Sequence, residues 1–212
     1  MRLIRITLIL TLLLPYHSLS AQNKAKDILD KTAKIVRKSG DMEVNFTAAS
    51  FMEQKEKGNL SGTIYLKGKK FNIVSTNVLC WYDGKTLWSM NKATNEVNVS
   101  TPSQHEKETM DPYLFLDLYK KGYTYEMQES TLRGRDCYEI TLKATDPKQE
   151  VREMIVSIDK ATQLPLCVRM REGIKYWVRI SILKCKVKQS YDDDLFTFKS
   201  ENYPKATVID IR

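Results

Sequence analysis

Histidine is nearly missing from this chain. The 212 residues contain two, His17 and His105, and His105 lies in the polar stretch SQHEK with no partner residue around it. Nucleophilic sites of the Ser-His or Cys-His kind need a histidine held by further groups, and histidine metal sites need several such ligands. We therefore expect no catalytic residue of these kinds and no bound metal.

Phosphate-binding glycine motifs are missing as well. The eight glycines are scattered, mostly at predicted turns, and none forms GxGxxG or GxxxxGK. The acidic run 192–194 lacks the spacing and the glycine of a calcium loop, so a solvated turn is the better interpretation. A pair of carboxylates for glycoside hydrolysis stays open among 26 acidic residues, although nothing favours it. We expect no cofactor and no enzyme activity.

Cysteine is scarce and lacks the CxxC spacing of redox or zinc sites. The four are Cys80, Cys137, Cys167 and Cys185. In an exported protein they could form disulfides, but four cysteines allow three pairings and the sequence does not choose among them. The alternation of the predicted strands places all four on the outer face of the sheet.

Long apolar runs are missing after the N-terminus. Residues 8–14 are apolar apart from Thr11, Arg2 and Arg5 precede them, and Pro15 and the mostly small residues 18–21 follow. This pattern is typical of a signal peptide, and a run of about ten residues is roughly half the length that spans a bilayer. We predict a signal peptide at 1–21 and one exported domain at 22–212. No cysteine lies near the cleavage region, so a lipid anchor is not expected.

The excess of basic residues does not predict nucleic-acid binding. The formal net charge is +8, but the lysines and arginines mostly alternate with apolar residues. Arg169 and Arg171, for example, flank Met170 in a strand pattern. This alternation indicates the solvated face of a sheet rather than a groove for nucleic acid.

The periodicity predicts one helix followed by many strands. Apolar residues recur at helical spacing from Ala25 to Val36, and Gly40 ends the helix. From Met42 the period changes to two, as in an antiparallel sheet with one apolar face. We predict a mainly β fold, an incomplete antiparallel β-barrel whose concave face is closed by the N-terminal helix and an inserted helix. The inserted helix begins at Asp111-Pro112 and runs to Lys121.

The stretch WYDGKTLW, residues 81–88, predicts a hairpin. If Asp83 and Gly84 form a two-residue type I′ turn, Trp81 pairs with Thr86 and Leu79 pairs with Trp88. Both indoles then share one face. Parity adds three further residues to that face, which are Phe71, Ile73 and Met90.

Four segments resemble the periplasmic outer-membrane lipoprotein carrier family, LolA. They are WYDGKTLWSMNKATNEVNV (81–99), MDPYLFLDLYKKG (110–122), VSIDKATQLPLCVRM (156–170) and FTFKSENYPKATVIDIR (196–212). The resemblance covers nearly the whole chain after residue 21, and DGKTLW with the strand after it is its most specific part. It implies a half-open barrel that carries the acyl chains of lipoproteins.

The resemblance also implies partners and a location. The partners are acylated lipoproteins, an inner-membrane lipoprotein-releasing transporter and an outer-membrane acceptor, and the location is the periplasm. We expect a monomer that touches membranes only transiently. Phe71 matches a phenylalanine that helps contact the transporter. Where family members often carry an arginine that latches the helical lid, this chain has Gly68-Lys69-Lys70, so Lys69 is the latch candidate.

The predicted lipid-binding residues are apolar positions of the sheet's apolar face and of the inserted helix. They are Phe71, Ile73, Leu79, Trp81, Trp88, Met90, Leu114, Phe115, Leu118, Ile140, Met154, Val156, Leu166, Val168, Val178 and Ile180. For any single one of them an ordinary core position is the competing interpretation. A periplasmic lipid-binding or sensory module with another acylated or lipid ligand is the alternative function.

Overall fold

A computed structural model of the protein describes residues 17–104, 106–107 and 111–212, and for residues 17–22 and 115 it describes only the backbone. Residues 1–16 of the predicted signal peptide lie outside the described part. His105 and Met110 lie outside it too.

The N-terminal helix forms where the periodicity predicts it. Helix α1 spans His17–Arg37, so it extends back into the segment predicted as signal peptide. Its buried stripe includes Ala25, Leu29 and Val36, and Gly40, at φ +66°, takes the left-handed conformation that often ends a helix. Among the described residues, no helix combines the length and the apolar character needed to cross a bilayer.

In the described part of the chain, twelve strands form a single sheet that does not close. Their order across the sheet is β12-β6-β5-β4-β3-β2-β1-β11-β10-β9-β8-β7. Every neighbouring pair is antiparallel except β12 and β6, which are parallel, so the sheet is mixed. The prediction of a mainly β, unclosed sheet with two helices is confirmed, and β12 is the exception to antiparallel pairing. The strands are Asp41–Met52 (β1), Lys55–Lys67 (β2), Lys70–Ser75 (β3), Val78–Tyr82 (β4), Leu87–Asn91 (β5), Glu96–Ser100 (β6), Tyr123–Leu132 (β7), Arg135–Ala144 (β8), Val151–Asp159 (β9), Pro165–Glu172 (β10), Tyr176–Gln189 (β11) and Thr207–Asp210 (β12).

The inserted helix is shorter than predicted. Helix α2 spans Phe115–Leu118, preceded by a turn in which Asp111 Oδ1 accepts a hydrogen bond of 2.8 Å from the Tyr113 amide. The Lys120 amide donates to the carbonyl of Asp117, three residues back. Such bonds wind the backbone more tightly than an α-helix, so only one α-helical turn forms.

The WYDGKTLW hairpin has a longer loop than predicted. Trp81 pairs with Trp88, and Leu79 pairs with Met90, so the predicted pairing of Trp81 with Thr86 and of Leu79 with Trp88 is wrong. The cause is the Asp83 carboxylate, whose Oδ1 accepts from the amides of Lys85 at 2.8 Å and Thr86 at 2.7 Å. This capping stabilises a four-residue loop, 83–86, in place of a two-residue turn.

Phe71 and Ile73 lie on the face opposite the indoles. Phe71 pairs with Tyr82 and Ile73 pairs with Cys80, and directly paired residues share a face. The turn between β3 and β4 has two residues, 76 and 77, so each odd-numbered residue of β3 pairs with an even-numbered residue of β4. The predicted common face for Phe71, Ile73 and Trp81 is therefore wrong. We define the inner face as the one that carries Phe71 and Ile73, and the outer face as the one that carries Trp81.

A bulge in β11 changes the face on which Cys185 lies. Val44 pairs with Cys185, but Phe46 pairs with Ile182, so β11 has one extra residue between these pairs and its alternation reverses there. Cys185 thus shares the inner face with Ile182, against the prediction of an outer position. Cys80, paired with Ile73, is on the inner face for the reason given above. The four cysteines form no disulfide in this structure.

The outer face carries the charges, as the alternation predicts. Arg169 Nη2 lies 2.7 Å from Glu139 Oε2, and Arg171 Nη2 lies 2.9 Å from Glu153 Oε2. The first pair joins β10 to β8 and the second joins β10 to β9, both on the solvated face. The basic residues of this face are therefore matched by acidic ones, which agrees with a solvated sheet surface rather than a basic groove.

Gly62 holds β2 and β3 together where they begin to pair. A Cβ atom on Gly62 would lie 2.3 Å from the carbonyl oxygen of Val74 and 2.9 Å from Ser75 Cα. We expect Gly62→Ala to lower the free energy of unfolding by about 1–3 kcal/mol because the two backbones must move apart. Gly58→Ala is the matched control, since its Cβ would meet only Ser50 Oγ at 3.6 Å. Equal urea midpoints for the two variants would contradict this account.

Candidate functional site

A cavity of about 360 Å³ lies between the inner face of the sheet and the two helical segments. Its walls are almost entirely apolar, and Asp111 is the one carboxylate among the described lining residues. The lining residues are Val36, Met42, Val44, Phe46, Ile64, Leu66, Ile73, Asp111, Pro112, Tyr113, Leu114, Leu164, Pro165, Val168, Met170, Ile180, Ile182 and Cys185.

Strands β1, β2, β3, β10 and β11 supply most of the wall, because their inner-face residues alternate with solvated ones. Phe46, Ile180 and Val168, for example, come from three neighbouring strands, and Ile180 pairs directly with Val168. Helix α1 adds Val36, and the turn before α2 adds Leu114. A pocket of this size and chemistry suits a small apolar ligand or part of a larger one.

Two ionisable side chains of the cavity wall, Tyr113 and Cys185, are held neutral. Burial, followed by the nearby carboxylate of Asp111, raises the pKa of Tyr113 to about 12. Burial also raises the pKa of the Cys185 thiol. A neutral phenol and a neutral thiol leave the wall compatible with hydrocarbon, and the small thiolate fraction makes Cys185 a slow nucleophile at neutral pH.

Two polar contacts join α1 to residues 111–120, which we call the α2 segment. Arg37 Nη2 lies 2.7 Å from Asp117 Oδ2, and the buried Tyr119 donates its hydroxyl to Asp30 Oδ1 at 2.5 Å. The hydroxyl of Tyr125, on β7, donates to the carbonyl of Tyr119. The α2 segment is therefore fixed to α1 at two points and to the sheet at a third.

These contacts lower the pKa of both carboxylates. Burial alone would raise the pKa of Asp30, but hydrogen bonds from Lys26 and Tyr119 outweigh it. Burial likewise opposes the hydrogen bonds that Lys120 and Arg37 make to Asp117, and the net pKa of Asp117 is also lowered. Both aspartates are thus charged at neutral pH and bind their partners in that form.

We expect acid to loosen α2. A carboxylate whose pKa is lowered on folding stabilises the fold above its ordinary value of 3.8, and that contribution is lost as the pH falls through the lowered pKa. The release rate of a bound fluorescent fatty-acyl probe should therefore rise several-fold from about pH 5 to about pH 3. The variant with both Asp30→Asn and Asp117→Asn should show fast release at either pH. A wild-type rate that stays constant over this range would contradict the role of the two aspartates.

Four of the predicted lipid-binding residues line the cavity, namely Ile73, Leu114, Val168 and Ile180. Four others lie on the inner face but pack into the core beside the cavity. Phe71 contacts the Tyr82 ring, and Ile140, Met154 and Val156 pack in a cluster with α1. Leu118, on α2, packs against the same cluster. Val178 is on the inner face of β11, next to Met170. Leu166 is buried at an irregularity in the pairing of β10. The Phe115 side chain lies outside the described part of the structure.

The tryptophan hairpin lies away from the cavity. Trp81 packs edge-on against Phe198 and Tyr203, each at 5.4 Å between ring centroids. Leu79, Trp88 and Met90 belong to the same cluster. The hairpin therefore holds the C-terminal segment against the outer face. The prediction that these four residues share a face with Phe71 and Ile73 is wrong because of the two-residue turn between β3 and β4.

Lys69 has no described partner. It is exposed in the β2–β3 turn, whereas its neighbours Lys67 and Lys70 both pair with Asp193, at 3.1 and 2.7 Å. Its role as a latch stays a prediction without a supporting contact. Phe71 is buried, so a contact between its ring and a transporter would require the side chain to become exposed.

Many residues of the cavity wall were not predicted as lipid-binding, although the alternation of the sequence contained them. Val44, Phe46, Ile64 and Leu66 lie at alternating positions of β1 and β2, and this alternation was the available signal. Leu164 and Ile182 also fit the alternation of their strands. Tyr113 and Cys185 had no such signal, because a turn conformation and a bulge determine where they point.

Comparison with known proteins identifies the family. The family model described as outer membrane lipoprotein carrier protein LolA matches residues 17–174. No curated protein sequence matches the chain.

The solved structures similar to this one include the following three. An uncharacterized conserved protein from Thermus thermophilus superimposes with a TM-score of 0.57 at 14% identity, covering 88% of this chain and 99% of its own. LprF from Mycobacterium bovis has a TM-score of 0.50 at 10% identity, with 77% and 93% covered. A LolA superfamily protein from Nitrosomonas europaea has a TM-score of 0.44 at 12% identity, with 82% and 97% covered. At these identities the first two support the fold alone, and the match to the family model carries the assignment: this chain belongs to the family of the outer membrane lipoprotein carrier protein LolA.

Proposed function

We propose that the protein carries lipoproteins through the periplasm and shelters their acyl chains in the apolar cavity. It receives them from an inner-membrane lipoprotein-releasing transporter and delivers them to an outer-membrane acceptor. The observation that carries this proposal is the cavity itself, which is lined by apolar side chains and covered by two helical segments that are fixed by few polar contacts.

The physical need for such a cavity comes from the cost of exposed hydrocarbon. Each methylene left in water costs about 0.8 kcal/mol. A multiply acylated anchor with on the order of forty methylenes therefore represents roughly 30 kcal/mol. A carrier must cover much of this surface, and it must also release it. Walls of Met, Leu and Ile side chains suit both demands, since they adapt to a chain without specific polar contacts.

The size of the cavity supports a second candidate ligand. At about 30 Å³ for a water-sized group, a volume of about 360 Å³ holds roughly a dozen methylenes. That is most of one acyl chain and much less than three. A single-chain lipid fits the cavity as observed, and the alternative function is a periplasmic lipid-binding or sensory module for such a ligand.

Ligands recovered from the protein separate these functions. The full chain is expressed in its own host, purified from the periplasm without detergent, and extracted for mass spectrometry. The proposal expects acylated protein or acylated N-terminal peptides in the extract. Free fatty acid or phospholipid without acylated protein supports the lipid-binding alternative. An empty protein that also fails to bind a fluorescent fatty-acyl probe contradicts both.

A further inference from the structure

Two hairpin tips meet at one end of the sheet. Glu53 and Gln54 form the turn between β1 and β2, and residues 173–175 form the turn between β10 and β11. The Glu53 amide donates to the Lys175 carbonyl at 3.2 Å, and the side chains of the same two residues form an ion pair. The turns are therefore fixed to each other. We call residues 51–55 and 172–177 together the paired tips.

Ile174 projects from the paired tips into solvent. Its side chain is 82% exposed, which is the largest fraction for any large apolar residue in the described part of the chain. Turns favour Gly, Asn, Asp, Ser and Pro, and an isoleucine this exposed buries almost no surface within the fold. Its apolar side chain is therefore available for a contact outside the chain.

The sheet behind Ile174 is apolar on both of its faces. Phe51 pairs with Trp177 on the outer face, and Met52 pairs with Tyr176 on the inner face. All four side chains are at least partly exposed. A sheet that covers a core on one side needs only one apolar face, so the apolar pair on the outer face is not explained by the core.

Two arginines lie over this outer pair of rings. Arg171 Cζ is 5.7 Å from the centroid of the Trp177 ring, and Arg179 Cζ is 5.0 Å from the centroid of the Phe51 ring. Arg179 is exposed and makes no ion pair with a residue in the described part of the chain. A guanidinium stacked on a ring keeps N–H donors at its edge, and these match the oxygens of a phosphate.

We propose that the paired tips insert into the interface of a phospholipid bilayer. Ile174 then lies at the acyl boundary, the rings of Trp177 and Phe51 lie among the headgroups, and Arg179 meets the phosphates. Aromatic side chains are enriched at this level of a membrane. The three residues from Ile174 to Trp177 extend at most about 10 Å, which agrees with the depth of about 5–10 Å that interfacial segments reach.

The small convex shape of the paired tips favours a bilayer over a protein partner. A specific protein interface needs roughly 800 Å² from each partner, which is far more than one projecting side chain and its neighbours offer. A fluid bilayer, in contrast, closes around a small tip. Burying one isoleucine side chain shifts a partition equilibrium by about tenfold to a hundredfold, so the contact is reversible.

The paired tips lie at the end of β1 that is opposite the helices. Met42, at the start of β1, packs in a cluster with Ala33 of α1 and Leu116 of α2, whereas the paired tips begin at Phe51. Insertion therefore holds the carrier at a membrane and leaves the α2 segment free to move. The inference rests on the proposed function for this purpose alone, because the contact itself requires no cargo.

Flotation with vesicles of phosphatidylethanolamine and phosphatidylglycerol tests the contact. The full chain is expressed and the exported protein is purified from the periplasm. Ile174→Asp is the tip variant, and Ile211→Asp, at an isoleucine that is 64% exposed near the C-terminus, is the matched control. The wild type should float, the tip variant should bind lipid about tenfold more weakly or worse, and the control should stay within about twofold of the wild type.

The Trp177 indole reports whether the tips enter the lipid. With Trp81→Phe and Trp88→Phe it is the sole tryptophan, and phospholipids brominated in the upper part of the acyl chain should quench its fluorescence. Arg179→Gln should weaken binding to vesicles that contain phosphatidylglycerol by about fivefold. The same variant should bind pure phosphatidylcholine vesicles as the wild type does.

Several results overturn the inference. They are a wild type that does not float, a Trp177 that the bromine leaves unquenched, and an equal loss of lipid binding in Ile174→Asp and Ile211→Asp. A wild-type dimer that Ile174→Asp converts to a monomer, measured by sedimentation without lipid, also overturns it, because the tips then bind a second copy of the chain.

Binding of a fluorescent fatty-acyl probe separates this inference from the proposed function. Ile174→Asp should keep the wild-type Kd for the probe, since the side chain is exposed and does not line the cavity. A loss of probe binding as large as the loss of vesicle binding would mean that the variant disturbs the fold, and it overturns the inference. A wild type that floats but binds no probe contradicts the proposed function and leaves the membrane contact in place.

Discussion

Replacing Ile73 with glutamate lowers the affinity for a fluorescent fatty-acyl probe by at least about a hundredfold. Ile73 lines the cavity from β3, so the new carboxylate must lie against the bound hydrocarbon without a cationic partner. Burying an unpaired charge costs several kcal/mol, and each 1.4 kcal/mol changes a dissociation constant about tenfold. The measurement is an equilibrium titration of probe fluorescence for wild type and variant.

Val74→Glu is the matched control for this variant. It is the next residue along the same strand, it lies on the outer face, and its side chain is 41% exposed. Its Kd should equal that of the wild type. Similar losses in both variants would mean that β3 is disturbed as a whole, and a normal Kd for Ile73→Glu would remove the cavity as the binding site.

Removing the Tyr119 hydroxyl should speed release of the probe by about tenfold or more. The hydroxyl donates to the charged Asp30 at 2.5 Å, and hydrogen bonds to charged groups contribute about 1.5–3 kcal/mol. Tyr119→Phe keeps the buried ring and loses only this connection between α1 and the α2 segment. Stopped-flow displacement of the probe by excess unlabelled fatty acid gives the release rate.

Tyr123→Phe is the control that shows whether faster release comes from losing the contact between α1 and the α2 segment. The Tyr123 hydroxyl is also part-buried, and it donates to the Val151 carbonyl of β9 at 2.8 Å rather than to a group on α1 or α2. Its loss should lower stability by a smaller amount, as expected for a hydrogen bond between uncharged groups, and leave the release rate unchanged. If the two variants release the probe equally fast, α2 does not control access to the cavity.

The sequence correctly predicted which face of the sheet a residue occupies wherever the residues compared lie in one strand or in strands paired without a bulge. Ile140 pairs with Val156, and Val156 pairs with Val168, as their patterns indicated. The stripe of α1 and the solvated arginines of β10 were also predicted correctly, because burial of an apolar stripe and solvation of charges are direct consequences of periodicity.

Errors arose where one residue more or fewer in a turn decides the face. The two-residue turn before β4 placed Phe71 opposite Trp81, whereas the Asp83 side chain lengthened the β4–β5 loop by two residues and so changed the pairing without changing the face. One extra residue in β11 turned Cys185 inward. A one-residue change of register moves every later side chain to the other face, and alternation alone contains no information about it.

The aromatic C-terminus shows a second limit. Phe198 and Tyr203 cover Trp81, although more than a hundred residues separate them in the chain. The tryptophans looked like ligand-binding residues because they are large and apolar. Their actual contact is with the chain's own end, which sequence periodicity does not report.

Alkylation of Cys185 during binding tests the central claim most directly. Cys185 lines the cavity, and the variant with Cys80→Ser, Cys137→Ser and Cys167→Ser leaves it as the sole thiol. A saturating triacylated lipopeptide should slow its reaction with a small maleimide by about tenfold or more, and the same peptide without acyl chains should leave the rate unchanged. An unaltered alkylation rate while the lipopeptide is demonstrably bound would place the hydrocarbon elsewhere and contradict the account.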